Sequence, residues 1–241
     1  MPARKNAQPP PLPLIPVTVG AADEYNPLDY DVLTQNIVDE LMKRRPVTLP
    51  VKKRFSGAGV YAIFYRGAAK RYARVRSLDS VWPIYVGKAV PGGARKGLVA
   101  RGKLGPELHG RLMQHAESIK AAKNLDIRDF RCRYLIVTPL WIVMAERFLI
   151  ENFRPAWNVG IDGFGNHDPG RRRQGQYRSR WDTLHVGRPW AEKLAVRYSS
   201  KDVETDLRKF FVAHPPGKKQ GKLSTEEIER AVDRDGDSDS T

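Results

Sequence analysis

Two short apolar segments decide the fold: GVYAIFYRG at residues 59–67 and PIYVGKAV at residues 83–90. Both are rich in Val, Ile and Tyr, which favour β-strands, and each contains a glycine. Because the segments are neighbours in the chain, they predict an antiparallel pair joined by the long connection 67–82. Each strand places a tyrosine, Tyr61 or Tyr85, beside a valine. In one strand alone, a half-buried packing role would be the simpler interpretation of the tyrosine.

A helix, a third strand and a second helix follow this pair. Residues 106–125 have the apolar spacing of a helix, and residues 130–137 predict a strand. Thr138 as N-cap and Pro139 as first helical residue predict a second helix, which stops before Arg154 and the proline after it. This order predicts an α/β fold, with a small three-stranded antiparallel sheet flanked by helices and with N- and C-terminal elaborations.

Composition divides the chain into five predicted segments. The first helix is expected to begin with Asn26 as N-cap and Pro27 as first helical residue. The predicted segments are a proline-rich extended arm (1–25), an N-terminal helix packing on the core (26–54), the core itself (55–160), an extension for DNA recognition or dimerisation (161–215), and a disordered tail (216–241).

The charge balance indicates a polyanionic partner. The chain has 42 Lys and Arg against 27 Asp and Glu, a formal net charge of +15. This excess favours nucleic acid over a membrane surface, and a basic protein without such a partner is the alternative. No apolar run is long enough to span a bilayer and no signal-peptide core is present, so a cytoplasmic location is expected. Cys132 is the only cysteine, which excludes an internal disulfide framework and a multi-cysteine zinc module.

Four further polar residues suggest a site. Arg111 and His115 are four residues apart and project from one side of the predicted helix. Glu146 lies in the apolar segment WIVMAERFLI, where a buried carboxylate is costly without a partner or a metal. Asn158 follows that helix. Taken singly, these residues are explained as well by a surface charge, a hydrogen-bonded histidine and a solvated glutamate, so their joint order carries the inference.

Together with the two strands, these residues resemble the GIY-YIG nuclease superfamily, in its type II restriction endonuclease branch. GVY at 59–61 and YVG at 85–87 are similar to its two tyrosine motifs, with valine in place of isoleucine in both. Arg111 and His115 are similar to its helix pair, in which histidine is typical of a restriction-enzyme subset. The resemblance covers roughly residues 55–160.

The resemblance extends to the second helix. Glu146 and Asn158 fit the pattern E-x-x-L-I-x-x-x-x-P-x-x-N, in which the family has a metal-binding glutamate and a terminal asparagine. The resemblance thus implies one Mg²⁺ per active site, held by Glu146. It implies six catalytic residues: Tyr61, Tyr85, Arg111, His115, Glu146 and Asn158.

Phosphodiester hydrolysis gives each of these residues a task, because it requires an activated water, a neutralised phosphate and a stabilised leaving oxygen. Arg111 offers permanently charged donors to the phosphate. Tyr61 would position or deprotonate the water with help from His115 or from the metal, since an isolated phenol titrates near pH 10. Tyr85 would hydrogen-bond the phosphate or the water, and Asn158 would brace the site. Which of Tyr61 and His115 is the general base stays open.

Two basic stretches predict how DNA is held. Residues 86–103 combine glycines with basic side chains suited to a phosphate backbone, and residues 171–181 combine arginines with Gln, Tyr and Trp, suited to base edges. Solvated or disordered basic loops, and a surface role for Lys88, are the alternatives. The predicted DNA-binding residues are Lys88, Arg95, Lys96, Arg101, Lys103, Arg171, Arg172, Arg173, Arg178 and Arg180.

The function predicted from these features is sequence-specific cleavage of double-stranded DNA. The compact size, the histidine variant and the elaborations on both sides of the core are similar to type II restriction endonucleases of this superfamily. The resemblance implies an enzyme that cuts a GC-rich palindrome as a homodimer, with a cognate DNA methyltransferase in the same system. A homing endonuclease and a non-catalytic DNA-binding protein on the same fold are the alternatives.

Overall fold

A four-stranded antiparallel sheet forms the centre of the molecule. The computed structural model describes residues 28–91, 105–168 and 175–218. The strands are β1 (Val47–Thr48), β2 (Gly59–Tyr65), β3 (Tyr85–Ala89) and β4 (Phe130–Ile136), and their order across the sheet is β1-β4-β2-β3.

The predicted pairing of the two tyrosine strands is confirmed. In the β2–β3 register, Tyr61 lies opposite Gly87 and Ile63 lies opposite Tyr85. Every residue of β2 is buried, because this strand has a neighbour on both edges and helices on both faces. The predicted α/β fold class is confirmed as well.

The strand count was predicted incorrectly, because β1 adds a fourth strand. It consists of Val47 and Thr48, which pair with Cys132 and Arg131 of β4. Two residues are too few to show an alternating apolar pattern, and the prolines at both ends of PVTLP, residues 46–50, favour a turn or loop. Only the contact with β4, distant in sequence, makes this segment a strand.

Six α-helices surround the sheet in the described residues. Three short 3-10 segments (Lys70–Tyr72, Ile127–Asp129, Pro139–Trp141) and a π-helical turn (Ala156–Gly160) connect them. The α-helices are α1 (Tyr30–Lys43), α2 (Glu107–Ala121), α3 (Ile142–Phe153), α4 (Arg180–Leu184), α5 (Pro189–Glu192) and α6 (Ser200–Ala213).

Two predicted helix starts differ from the structure. Asp29, not Asn26, is the N-cap of α1, because its carboxylate accepts hydrogen bonds from the amides of Asp31 (2.8 Å) and Val32 (3.4 Å). Pro139 does begin a helical segment after Thr138, but that segment is a 3-10 turn and α3 itself begins at Ile142. The predicted end of α3 at Arg154 is confirmed.

Alternation along β2 divides the core into two halves. Tyr61, Ile63 and Tyr65 face one cluster, which contains α2, and the residues between them face a second cluster, which contains α1 and α3. The first cluster also contains Phe164, Trp181, Leu184, Val203, Leu207 and Phe211. Residues beyond position 160 therefore share a hydrophobic core with the tyrosine strands.

The remaining parts of the chain bear on two predictions. The predicted extended arm and nearly all of the predicted tail lie outside the described residues. Within the ranges that the structure describes, no helix has both the length and the apolar character needed to cross a membrane.

Candidate active site

The glycine of the YVG motif makes room for a tyrosine. A Cβ added at Gly87 would lie 2.4 Å from the hydroxyl oxygen of Tyr61 and 2.6 Å from its Cζ, which is closer than real Cβ contacts. The Tyr61 ring thus lies across the backbone of β3 at Gly87. The two tyrosine motifs form one unit, in which the second strand accommodates the side chain of the first.

His115 of α2 contacts this tyrosine directly. Its Nε2 lies 2.5 Å from the Tyr61 hydroxyl, and both side chains are buried. Burial lowers the pKa of His115 well below its ordinary value of 6.5, and the positive charges of Arg111, His167 and Arg188 lower it further. His115 is therefore a neutral imidazole at neutral pH, and it can accept a hydrogen bond from the tyrosine hydroxyl in its Nδ1-protonated tautomer.

Phe164 fixes the other face of the imidazole. Its ring stacks on His115, with centroids 4.6 Å apart and planes 19° apart, and it meets Tyr85 edge to face at 4.8 Å. Tyr85 also lies edge to face with His115 at 5.0 Å. Because aromatic pairs in these geometries attract each other, the three rings hold one another in place.

Arg111 lies one turn before His115 and is held by the loop that carries Phe164. Its Nη2 donates to the carbonyl of Gly165 at 3.1 Å, and its Nη1 contacts Nε2 of His167. Nη1 also donates to Gln114 at 3.3 Å. The residue is 9% exposed, so these contacts fix a largely buried guanidinium in direction.

Glu146 of α3 is paired with Lys88 of β3. The lysine Nζ lies 2.5 Å from Oε2 of the glutamate, and the two side chains are 17% and 7% exposed. A buried carboxylate in an apolar helix is costly, and this ammonium group compensates it. Lys88, predicted to contact a DNA phosphate, is thus mostly buried and paired with Glu146 in the structure.

Asn158 holds the YVG strand by its edge. Its Oδ1 accepts from the amide of Val86, and its Nδ2 donates to the carbonyl of the same residue, both at 2.8 Å. Because β3 is an edge strand, the asparagine amide replaces a neighbouring strand at this position. Val86 lies between Tyr85 and Gly87, so Asn158 fixes the backbone that carries the second tyrosine.

The six predicted site residues form two groups in the described contacts. Alternation along β3 places Tyr85 and Gly87 on one face of the sheet, with Tyr61 and His115, and places Val86 and Lys88 on the other. The first group is Tyr61, Tyr85, Arg111 and His115, and the second is Glu146 with Lys88. Asn158, bonded to Val86, connects the two at the sheet edge.

A comparison with protein-family models matches residues 53–211 to the Eco29kI GIY-YIG domain, well over half of the chain. The chain belongs to this family of GIY-YIG type II restriction endonucleases. It is therefore a restriction-type DNA endonuclease. The match extends beyond residue 160, the predicted end of the resemblance. A search of curated protein sequences returned no match.

Within the matched GIY-YIG domain, two of the predicted DNA-binding arginines make internal contacts. Arg178 donates to the carbonyls of Ala191 (3.0 Å) and Glu192 (2.8 Å). Arg180 lies 3.7 Å from the carboxylate of Asp206. Outside the described residues lie Arg95, Lys96, Arg101, Lys103, Arg171, Arg172 and Arg173.

Sequence reasoning missed three residues that the GIY-YIG domain places at this site: Phe164, His167 and Arg188. Phe164 and His167 lie in GIDGFGNHD, which reads as a polar loop. Arg188 is 3% exposed, and the only signal for it is its position near two tryptophans, Trp181 and Trp190. That signal is weak, because a guanidinium stacked on tryptophan is common in proteins without a catalytic role.

Proposed function

We propose that the protein is a type II restriction endonuclease that cuts a GC-rich palindrome as a homodimer and uses Mg²⁺. In this proposal Tyr61 and His115 activate the attacking water. The observation that carries this proposal is the 2.5 Å contact between the Tyr61 hydroxyl and Nε2 of a neutral His115. A neutral imidazole in contact with a phenol can take up the proton that the phenol passes on, as general-base catalysis through Tyr61 would need.

The proposed reaction is attack of water on the phosphorus atom, with cleavage of the bond to the 3′ oxygen. The water gives its proton to the oxygen of Tyr61, which passes its own proton to Nε2 of His115. Arg111 donates to the phosphate and neutralises the charge that develops there. Tyr61 and Tyr85 are 0% exposed, so the account requires that the residues covering them move when DNA binds.

The residues present fit a single Mg²⁺ at Glu146. Glu146 supplies an oxygen ligand of the kind that Mg²⁺ prefers, and Mg²⁺ would bind there by displacing the ammonium group of Lys88. In the described ranges no group of three or more His, Cys, Asp and Glu side chains could hold a metal ion. Mg²⁺ tolerates this, because it keeps several waters and needs only one or two protein carboxylates. When bound, it would stabilise the charge on the departing 3′ oxygen.

A homodimer follows from the task of cutting both strands. The described residues of each chain hold one candidate site, so two copies related by a two-fold axis would cut opposite strands of a palindrome. Such an enzyme needs a cognate DNA methyltransferase to protect the DNA of its own cell. The net charge of +15 and the basic stretches 86–103 and 171–181 supply the proposed grip on DNA.

Cleavage of supercoiled plasmids tests the proposal. A set of plasmids of known sequence is incubated with the protein and Mg²⁺, and with chelator in place of Mg²⁺. We expect discrete linear fragments with Mg²⁺ and intact plasmid with chelator, and end sequencing of the fragments should give one GC-rich palindrome. Random degradation, or binding without cutting, would contradict the restriction assignment, and cutting in chelator would contradict the metal.

A further inference from the structure

One short loop touches three of the candidate catalytic residues. Phe164 stacks on His115 and meets Tyr85 edge to face. The carbonyl of Gly165 accepts from Arg111 at 3.1 Å, and His167 contacts the same guanidinium. The loop 163–167 thus sets the position of the imidazole, one tyrosine and the arginine together.

Arg188 holds the backbone of this loop from the connection between α4 and α5. Its Nη2 donates to the carbonyl of Gly163 at 2.7 Å. Its Nη1 donates to the carbonyls of Phe164 at 3.2 Å and Asn166 at 2.9 Å. These three acceptors flank or belong to Phe164, so the guanidinium fixes the turn that presents the phenyl ring to His115.

Arg188 is itself held on every side. Its Nε donates to Asp182 at 2.6 Å, and Asp182 accepts from the hydroxyl of Ser179 at 2.6 Å. The guanidinium carbon lies 4.4 Å and 4.9 Å from the ring centroids of Trp181 and Trp190. A planar fork of five donors satisfies these partners at once, which the single ammonium group of lysine cannot do.

We propose that Arg188 is a positioning residue for DNA cleavage: by fixing the loop 163–167 it sets the places of His115, Tyr85 and Arg111. The inference rests on the proposed function of those residues. It makes the segment 179–190, beyond the tyrosine strands and their helices, part of the machinery that sets the cleavage rate. Arg188 touches no reacting atom, and it acts through Phe164 and Gly165.

A purely structural arginine offers a matched control. Arg133 is also buried, and its guanidinium donates to the carbonyls of Ser80 at 3.1 Å and Met42 at 2.8 Å, among others. It lies on β4 and holds α1 and the connection before β3. Arg133→Met and Arg188→Met therefore remove the same kind of group, and only the second lies behind the candidate site.

Single-turnover cleavage of the plasmid cut by the wild type provides the first measurement. We expect Arg188→Met and Arg188→Lys to slow cleavage by on the order of 10- to 100-fold, because small displacements of catalytic groups have effects of this size. DNA affinity should be nearly unchanged. Arg133→Met should cut at the wild-type rate once it is folded. Phe164→Leu, which leaves Arg188 in place but removes the ring on His115, should be slow like the Arg188 variants.

Nuclear magnetic resonance of the histidine rings provides a measurement that needs no cleavage. His115 faces Tyr61 from β2, Tyr85 from β3, Arg111 from its own helix, and Phe164 and His167 from the loop, with Arg188 behind them. The chain has five histidines, so the ring signals can be assigned. We expect Arg188→Met to shift the His115 signal and raise its pKa, because one of the lowering charges is lost, and we expect Arg133→Met to leave both unchanged.

These experiments test the proposed function and the positioning role of Arg188 separately. If the wild-type protein cuts no DNA, the proposed function fails, while the ring signals still report whether Arg188 positions His115. The inference is overturned if Arg188→Lys or Phe164→Leu cuts as fast as the wild type. It is also overturned if Arg188→Met and Arg133→Met lose the same share of activity, or if the chemical shift and pKa of His115 are unchanged in Arg188→Met.

Discussion

At the scale of single residues, the proposed chemistry depends on one hydrogen bond between two buried groups. Tyr61 and His115 come from a strand and a helix that are 54 positions apart in sequence. A second pair of the same kind lies elsewhere in the core, where the Tyr72 hydroxyl is 2.5 Å from Nε2 of His185. The two pairs have the same length and burial, so a comparison between them isolates what the location contributes.

We predict that Tyr61→Phe lowers the single-turnover cleavage rate by roughly 100- to 10,000-fold, the usual range for loss of a general acid–base group. The phenyl ring keeps its packing, and only the hydroxyl that would handle the water is removed. Tyr72→Phe removes the matched hydroxyl and should cut at the wild-type rate. If both variants lose activity equally, or if Tyr61→Phe cuts normally, Tyr61 is a packing residue.

Gly87 gives a second prediction at this scale. Gly87→Ala should lower the free energy of unfolding by about 1–3 kcal/mol, the usual cost of overpacking, because its Cβ would meet the Tyr61 ring. Gly110 of α2 is the control, since a Cβ there meets nothing within 4 Å and alanine favours a helix. Urea unfolding measures both variants. A neutral Gly87→Ala would mean that the Tyr61 ring does not lie across β3.

At the scale of elements, the sheet edge depends on a side chain in place of a strand. Asn158 pairs with both backbone groups of Val86. We predict that Asn158→Ala speeds hydrogen exchange at the Val86 amide and destabilises the fold by about 1–3 kcal/mol, because buried backbone groups lose their partners. Exchange measured by nuclear magnetic resonance checks this, with amides in the centre of β2 as internal control. Unchanged protection at Val86 would contradict the bracing role.

The elements that could be predicted from the sequence are those with a strong local signal. The apolar patterns in the sequence predict β2, β3, β4, α2 and α3. The two-residue strand β1 has no such pattern, since its identity comes from contact with β4. The start of α1 was wrong because two good N-caps, Asn26 and Asp29, lie three positions apart, and local sequence does not decide between them.

The candidate site shows the same division. Six of its residues were predicted because their motifs resemble those of the GIY-YIG superfamily, and phosphodiester cleavage gives each of them a task. Phe164 was missed because its contribution comes from contact with His115, which no local pattern encodes. Arg188 was missed because it acts on backbone carbonyls 22 to 25 positions away.

At the scale of the whole molecule, two neutral histidines are buried in one core. Burial, followed by the charges of Arg71 and Arg188, lowers the pKa of His185 from 6.5 to about 3. Burial also lowers the pKa of His115. In the unfolded chain both side chains recover ordinary values. Below pH 6.5 the unfolded chain therefore binds more protons than the folded one, and folding stability is lost as the pH falls.

We predict that the contribution of these two histidines to the free energy of unfolding is constant above pH 6.5. Below that pH the free energy of unfolding should decrease by roughly 1.4 kcal/mol per pH unit for each of them. Urea unfolding at several pH values between about 7.5 and 5 measures how steeply the free energy of unfolding changes with pH. His185→Gln should reduce this slope by the contribution of one proton, about 1.4 kcal/mol per pH unit. An unchanged slope in that variant would show that His185 is not kept neutral by the fold.

The central claim for the whole molecule is that the site built around β2, β3, α2 and α3 cleaves DNA. Glu146 tests it most directly, and Glu151 on the same helix is a matched control, since it is buried and paired with Arg147 at 3.2 Å. The measurement is plasmid cleavage in Mg²⁺ by Glu146→Gln and Glu151→Gln, with DNA affinity determined in parallel. The account predicts that Glu146→Gln binds DNA like the wild type and does not cut, while Glu151→Gln cuts. Cleavage by Glu146→Gln at the wild-type rate would contradict it.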